Sequence, residues 1–156
     1  MNNNLIIVNK GKYFLDEPKQ YYNFKFKPDN FQLWGMNAIN KGHNLFCCAH
    51  TGSGKTVLAQ HAIFKALQEG KQAIYASPII TLSNQKFKEF QEDFEKYDQD
   101  NVGILTGDSK INPTAKILIM TAEILRNALE RKSDEEVYEW NFNPDKIGCV
   151  VLDEVH

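Results

Sequence analysis

The sequence has no long apolar run, few cysteines and almost no net charge. Its 156 residues are 42% hydrophobic and 24% charged, and the formal net charge is -2. A membrane-spanning helix needs about 20 consecutive apolar residues, and no run in this sequence approaches that length. The apolar run at residues 5–8 is too short for a signal peptide. We therefore expect an intracellular, soluble protein, and the composition does not distinguish the nucleus from the cytoplasm.

The three cysteines, Cys47, Cys48 and Cys149, exclude the cysteine-rich classes of protein. An odd number of cysteines, two of them adjacent, suits neither a disulfide framework nor a zinc site. We expect all three to be buried, reduced thiols that act as small apolar side chains. The near-neutral charge also provides no global basic field to mark a nucleic-acid-binding protein, although a binding groove needs only local charge.

A glycine-bearing segment at residues 49–56 has the pattern of a phosphate-binding loop. Glycines let backbone N–H groups turn inward around phosphate oxygens. Lys55 places a positive charge near the outer phosphates, and the hydroxyl of Thr56 is a ligand for Mg²⁺. A glycine-rich turn without a ligand is the alternative, but this loop follows an expected strand and precedes an expected helix. The predicted nucleotide-binding residues of the loop are Ala49, His50, Thr51, Gly52, Ser53, Gly54, Lys55 and Thr56.

An acidic pair, Asp153 and Glu154, follows the apolar run at residues 147–152. A carboxylate at the end of a strand can hold magnesium while its neighbour orients the attacking water. The alternative is an exposed acidic pair without a catalytic role. With the phosphate loop upstream, we predict one ATP site. Its catalytic residues are Lys55, Asp153 and Glu154, and its metal ligands are Thr56 and Asp153.

Apolar runs alternate with helical patterns along most of the chain, which predicts an α/β fold. The alternation implies a parallel sheet with helices on both faces and with ligands at the carboxyl ends of the strands. Residues 1–30 are expected to be a lead-in with one short strand. The expected strands are residues 44–48, 72–76, 102–105, 117–120 and 147–152, the first and last of them buried, and the expected helices are residues 31–40, 57–69, 82–97 and 122–131.

Six short signatures extend this pattern beyond the ATP site. They are Phe31-Gln32, residues 49–56, Ser77-Pro78-Ile79 with residues 82–86, Thr106-Gly107-Asp108, residues 121–125 and Asp153-Glu154-Val155-His156. In this order and spacing the chain resembles the superfamily-2 helicases, and most of all the Ski-type, exosome-associated RNA helicases with a DEVH box. The resemblance covers about residues 24–156 and implies a first RecA-like domain after a lead-in at residues 1–23. The Asn- and Lys-rich composition is also compatible with short viral relatives of this family.

For the ATP site, the resemblance implies that Gln32 reads the adenine edge and that Phe26 packs near the base. An amide can pair with adenine in a bidentate way. From the residues alone, a solvated residue at a helix start is the alternative for Gln32. The resemblance implies ATP and Mg²⁺ as cofactors, and His156 would couple the nucleotide state to the rest of the protein.

The middle signatures are expected to contact the backbone of RNA, because hydroxyls, amides and backbone N–H groups on loops and helix starts can meet phosphates. The alternative is ordinary turn and capping chemistry, and Asp108 is expected to cap or orient its loop. Ile80 and Ala122 stand where the family usually has Lys and Thr, so weaker RNA binding is expected. The predicted RNA-binding residues are Ser77, Pro78, Asn84, Gln85, Thr106, Gly107, Thr121 and Glu123.

The chain ends directly after the DEVH signature, so we expect the second RecA-like domain and its arginines to be absent. An arginine finger is worth roughly 10³–10⁵ in rate, so little turnover is expected from this chain alone. The sequence thus predicts the ATP-binding part of an ATP-dependent RNA helicase, with RNA and a second RecA-like domain, in cis or in trans, as partners. Two alternatives stay open: a stand-alone nucleotide- or RNA-binding regulatory module or remnant without catalysis, and a superfamily-2 DNA helicase or translocase.

Overall fold

The apolar runs of the second half of the chain form one sheet in the computed structural model, which describes residues 8–9, 11–94, 101–130 and 143–154. The chain divides into two compact units, residues 1–65 and residues 66–156. No helix in the described part of the chain is long and apolar enough to cross a membrane. The elements are α1 (Asn30–Asn40), α2 (Thr56–Gln68), β1 (Gln72–Ser77), α3 (Ile80–Phe94), β2 (Val102–Leu105), β3 (Lys110–Ile111), β4 (Ile117–Thr121), α4 (Ala122–Glu130), a 3₁₀ turn (Pro144–Lys146) and β5 (Ile147–Leu152).

The sheet of the second unit is mostly parallel, with the strand order β3-β2-β4-β1-β5. β1 pairs in parallel with β4 and with β5, and β4 pairs in parallel with β2. The short β3 is antiparallel to β2. Parallel strands need long crossover connections, and α3 lies in the connection from β1 to β2, which are separated in the sheet by β4. The predicted parallel sheet is confirmed, with β3 as an antiparallel addition that the sequence pattern did not predict.

Helices cover both faces of this sheet. Ile74 of β1 and Leu118 of β4 are buried in one apolar cluster with Leu125 of α4. Tyr75, the next residue of β1, instead contacts Phe90 of α3, with ring centroids 5.5 Å apart. Because successive side chains of a strand point to opposite faces, α3 and α4 lie on opposite faces of the sheet. The predicted α/β architecture with helices on both faces is confirmed.

Two of the predicted strands differ in the structure. Residues 44–48 form no strand, and Leu45 and Phe46 are 41% and 82% exposed. A strand needs a neighbour that pairs with its backbone N–H and C=O groups, and no described strand pairs with this segment. β5 forms where it was predicted but is not buried, since Val150 and Leu152 are exposed. It lies at the edge of the sheet, where one face of the strand is poorly covered.

The expectation of three buried thiols was wrong. Cys48 is exposed, and Cys47 and Cys149 are partly exposed. Two of them belong to the unpaired segment 44–48 and the third to the edge strand β5, so none lies between two covering layers. The short strand expected in the lead-in is also absent from residues 11–29.

In the first unit, a buried histidine of α2 is hydrogen-bonded to the lead-in and to α1. His61 of α2 is fully buried, and its Nε2 lies 2.8 Å from Oδ1 of Asn40 in α1. Its Nδ1 accepts the Tyr21 N–H at 3.5 Å, and the Asn40 amide donates to the Lys19 carbonyl at 2.9 Å. An imidazole that accepts at Nδ1 must be neutral. The neutral form of His61 is therefore part of the native structure.

Burial, together with the nearby Lys65, lowers the pKa of His61 to about 4. Histidine in an unfolded chain titrates near 6.5, so the unfolded state binds the proton first as the pH falls. The stability that His61 contributes is fully present above about pH 6.5 and is lost as the pH falls from there towards 4. We expect a loss of about 1–3 kcal/mol between pH 7 and pH 4.5, measured by urea unfolding.

A His61→Gln variant should lose most of this pH dependence, because the glutamine amide does not titrate. The matched control is His43→Gln, at an exposed position, which should keep the pH dependence of the wild type. Equal slopes of unfolding free energy against pH in wild type and His61→Gln would contradict the assignment.

Candidate nucleotide and nucleic-acid site

The loop at residues 49–56 contains two glycines in a backbone conformation that other residues rarely adopt. The φ angle is +81° at Gly52 and +87° at Gly54. The Ser53 N–H donates to the His50 carbonyl at 3.2 Å, which closes the turn. Thr56 follows as the exposed first residue of α2. The start of a helix presents unpaired N–H groups that attract anions, so the local backbone suits the predicted phosphate cradle.

Two polar side chains of the loop also fit a phosphate. The Ser53 hydroxyl oxygen is buried and has no hydrogen-bond partner within the described residues. A buried polar atom without a partner is costly, and a bound ligand or water removes that cost. The Lys55 ammonium bends back over the loop and donates to the Ala49 carbonyl at 2.6 Å. An ammonium carries three donors, so Lys55 keeps donors for an oxygen-rich anion.

Gln32 connects the start of α1 to the phosphate loop. Its Oε1 accepts the Asp29 N–H at 2.8 Å, and its Nε2 donates to the Gly54 carbonyl at 3.1 Å. A Cβ at Gly54 would lie 2.6 Å from this Nε2 and would displace the Gln32 amide, and the φ angle of +87° independently favours glycine. Gln32 is only 3% exposed, which excludes the reading of a solvated helix-start residue. The two hydrogen bonds leave its amide one donor and one acceptor position.

Phe26, the predicted base contact, lies on the surface of the aromatic cluster of the lead-in. Its ring centroid is 5.5 Å from that of Phe24. Phe24 is itself buried against Met36, Val57 and Leu58. Phe26 remains 52% exposed. About half of its ring surface is therefore open to a ligand, while its contact with Phe24 holds the ring in place.

In the second unit, the parallel strands end at one edge of the sheet, where the remaining predicted site residues follow. Ser77 at the end of β1 lies opposite Thr121 at the end of β4. The Asp153 N–H donates to the Ala76 carbonyl at 2.9 Å, which extends the pairing of β1 and β5 by one residue. Thr106 directly follows β2, the parallel neighbour of β4. The structure therefore places these residues along one edge, as the alternation of strands and helices predicted.

The carboxylate of Asp153 is held by two hydrogen bonds. Oδ1 accepts the Glu154 N–H at 3.1 Å, and Oδ2 accepts the hydroxyl of buried Tyr75 at 2.5 Å. Burial and the hydrogen bond to Asp153 raise the pKa of Tyr75 far above its ordinary range, so the phenol stays protonated and is the donor. Glu154 has a φ angle of +52°, a strained conformation that clusters at functional sites.

The Asp153 carboxylate has the donor chemistry that Mg²⁺ takes in proteins. The described residues contain no group of three or more His, Cys, Asp or Glu side chains that could hold a metal ion. Mg²⁺ commonly takes one or two carboxylates and completes its shell with phosphate and water. Each oxygen of the Asp153 carboxylate accepts one hydrogen bond and retains a further lone pair. The chemistry of this carboxylate is therefore compatible with the predicted metal.

The residues predicted to contact RNA separate into a buried and an exposed group. Ser77, Thr106 and Thr121 are 1%, 8% and 7% exposed. The exposed group is Pro78, Asn84, Gln85, Gly107 and Glu123. The buried group is thus suited to positioning the loops, while the exposed group can reach a ligand through its side chains and, at Gly107, through the backbone.

Two hydroxyls of the buried group, those of Ser77 and Thr106, have partners within the protein. The Ser77 hydroxyl oxygen lies 2.7 Å from that of Ser83 in α3. The Thr106 hydroxyl oxygen accepts the N–H groups of Asp108 at 3.3 Å and Ser109 at 3.0 Å. In the described hydrogen bonds of this turn, Thr106 therefore caps the loop, a role that was predicted for Asp108.

Sequence reasoning missed two polar residues of this edge, Tyr75 and Ser83. Tyr75 lies within an apolar strand and Ser83 within a mostly polar stretch of α3. The partner of each depends on strand register or helix position, which no local pattern reports. His156, the predicted coupling residue, lies outside the described residues.

Comparison with known proteins extends these observations to a family. The family model of the DEAD/DEAH box helicases matches residues 29–156. The chain is 43% identical over 140 residues to "mRNA transport homolog 4" of Caenorhabditis elegans, which covers 90% of this chain and 12% of that protein. It is 42% identical over 139 residues to "Antiviral helicase SKI2" of Saccharomyces cerevisiae, which covers 89% of this chain and 10% of that protein.

The human protein "Exosome RNA helicase MTR4" is 41% identical over 133 residues, which cover 85% of this chain and 12% of that protein. The chain thus spans about a tenth of the length of the relatives it matches. These relatives are proteins of cellular organisms, and viral membership stays a prediction. Since the matched region contains the phosphate loop, every strand of the sheet and the acidic pair, the chain belongs to the DEAD/DEAH box helicase family.

Proposed function

We propose that this chain is the ATP-binding part of an ATP-dependent RNA helicase, in which ATP hydrolysis drives RNA unwinding by the complete protein. The observation that carries the proposal is the loop at residues 49–56, whose two left-handed glycines and unpartnered Ser53 hydroxyl suit phosphate. Family membership and relatives named as RNA helicases support it further. These relatives are much longer than the chain, so unwinding belongs to the complete protein.

In the proposed mechanism, the loop binds the phosphates of ATP through its backbone N–H groups, the Ser53 hydroxyl and the Lys55 ammonium. Thr56 and Asp153 would hold Mg²⁺, which when bound neutralises charge on the outer phosphates. Glu154 orients the attacking water or accepts its proton. A second RecA-like domain, in cis or in trans, would supply the arginines that stabilise the transferring phosphoryl group.

The base of ATP would be recognised from α1 and the lead-in. The Gln32 amide has one N–H and one acceptor position left after its bonds to Gly54 and Asp29, and adenine presents the complementary pair. The half-exposed ring of Phe26 offers a surface on which the base can pack.

RNA would bind along the carboxyl edge of the sheet through its sugar–phosphate backbone. Asn84 and Gln85 are exposed in the first half of α3, and Pro78 and Gly107 are exposed in loops that follow strands. Side-chain amides and backbone N–H groups contact phosphates without reading sequence. His156 would then couple the nucleotide state to the rest of the protein.

The first test of this function separates ATP binding from hydrolysis in the complete protein. Lys55→Ala should weaken ATP binding roughly tenfold or more, because it removes a charge-assisted hydrogen bond. Glu154→Gln should keep ATP binding but lower RNA-stimulated hydrolysis about 100-fold or more, as expected for loss of a general base. Fluorescent ATP titration and phosphate release measure the two quantities. Lys41→Ala, at an exposed position after α1, is the control, and unchanged ATP binding by Lys55→Ala would refute the site.

A second prediction concerns the choice of base. In Gln32→Glu, the carboxylate can still accept the Asp29 N–H but has no N–H for Gly54 or adenine. We expect the preference for ATP over GTP to fall roughly tenfold, as for loss of one bidentate contact. The ratio of the two nucleotide affinities is measured by competition. An equal weakening of ATP and GTP would mean that Gln32 supports the loop without reading the base.

A third prediction distinguishes the exposed from the buried residues at the carboxyl edge. Asn84→Ala should weaken binding of single-stranded RNA by about threefold to tenfold, as for loss of one phosphate contact, with an unchanged unfolding temperature. The adjacent Ser83→Ala should lower the unfolding temperature, because the Ser77 hydroxyl loses its partner. Fluorescence anisotropy and thermal unfolding give both values.

The same RNA experiment tests the competing functions. A DNA strand of the same sequence serves as the comparison ligand, since the 2′-hydroxyl distinguishes the two. Equal binding of RNA and DNA would favour a DNA translocase. Unchanged RNA affinity in both Asn84→Ala and Gln85→Ala would contradict the assigned RNA surface.

A further inference from the structure

Tyr75 places a phenol hydroxyl directly on the carboxylate of Asp153. The side chain is 1% exposed, and its hydroxyl donates to Oδ2 of Asp153 at 2.5 Å. This distance lies at the short end for a hydroxyl–carboxylate hydrogen bond. None of the six signatures in the sequence contains Tyr75, and the roles proposed above for the ATP site do not use it.

Strand register explains why these two side chains meet. Tyr75 lies directly opposite Val151 in the parallel pairing of β1 with β5. Asp153 is two residues beyond Val151 and therefore projects from the same face of the sheet. A diagonal neighbour is within reach of an aromatic side chain, and the Asp153 N–H still pairs with the Ala76 carbonyl. The contact is a direct result of the sheet.

The phenol is fixed on its other side by α3. Phe90 packs edge-on against the Tyr75 ring, with centroids 5.5 Å apart. A ring buried between strands and helix has little rotational freedom, so its hydroxyl holds Oδ2 in one position. The Glu154 N–H holds Oδ1 in the same way. Both oxygens of the carboxylate are thus oriented before any ligand arrives.

We propose that Tyr75 is a positioning residue for the metal-binding carboxylate, and that its hydroxyl orients Asp153 for the magnesium–ATP complex. This inference rests on the proposed function, in which Asp153 holds the metal. Hydrogen bonds to ligating carboxylates contribute to metal affinity, and their loss typically weakens binding about 10–100-fold. Tyr75 itself touches neither metal nor nucleotide.

The test measures how much Mg²⁺ the complete protein needs to bind a fluorescent ATP analogue tightly. Tyr75→Phe removes only the hydroxyl and should raise the half-saturating Mg²⁺ concentration about tenfold or more. Asp153→Asn should raise it further. In the double variant the effect of Tyr75→Phe should vanish, because a residue that acts through Asp153 has nothing left to orient.

A packing control separates orientation from stability. Phe90→Leu removes the ring contact of Tyr75 but keeps its hydroxyl, so it should lower the unfolding temperature and raise the Mg²⁺ requirement clearly less than Tyr75→Phe does. An equal rise of the Mg²⁺ requirement in Phe90→Leu and Tyr75→Phe would overturn the inference and assign Tyr75 to packing alone.

The variants also separate failure of this inference from failure of the proposed function. If Asp153→Asn raises the Mg²⁺ requirement and Tyr75→Phe does not, the role of Tyr75 is refuted and the ATP site stands. If Asp153→Asn leaves the requirement unchanged, the metal role of Asp153 is refuted, and the role of Tyr75 with it.

Discussion

The parallel pairing of β1 with β4 and β5 is the constraint on which the second unit depends. Parallel strands share one direction, so the residues that follow them all emerge at one edge. The register then fixes which of them are neighbours: Ser77 lies opposite Thr121, and Asp153 pairs with Ala76. A slip of one residue in β5 would turn Asp153 to the other face of the sheet, away from Tyr75.

Buried polar side chains add specificity to this framework. The Ser77 and Ser83 hydroxyls connect the end of β1 to α3, and Ser83 also donates to the Met120 carbonyl at 3.4 Å. In the first unit, Gln32 performs a similar task between α1 and the phosphate loop. Each of these groups is costly to bury without a partner, so each favours one arrangement of the elements it joins. Polar contacts thus position the loops that the apolar core alone leaves undetermined.

Most of the fold and the positions of the motifs could be predicted from the sequence, because both are local properties. β2 and β5 begin and end where apolar runs do, and α1 extends only one residue beyond its predicted start. The prediction of a strand at residues 44–48 was wrong because an apolar run becomes a strand only if another strand pairs with it. The exposure of Cys48 followed from the same cause.

The contacts of the site residues could not be predicted from local sequence patterns, for a related reason. The hydrogen bond from Tyr75 to Asp153 joins residues 78 positions apart and requires the register of β1 with β5. The bond from Gln32 to Gly54 similarly depends on how α1 meets the loop. A motif predicts which residue types a site needs, whereas the three-dimensional pairing decides which neighbours support them.

The left-handed backbone of Glu154 implies a conflict between stability and chemistry at one residue. Outside glycine and asparagine this conformation costs about 1–2 kcal/mol. Glycine at this position would relieve the strain and stabilise the fold, yet it would remove the carboxylate that is proposed to act on water. In the proposed mechanism, this is therefore a position where the fold gives up stability to keep a reactive group.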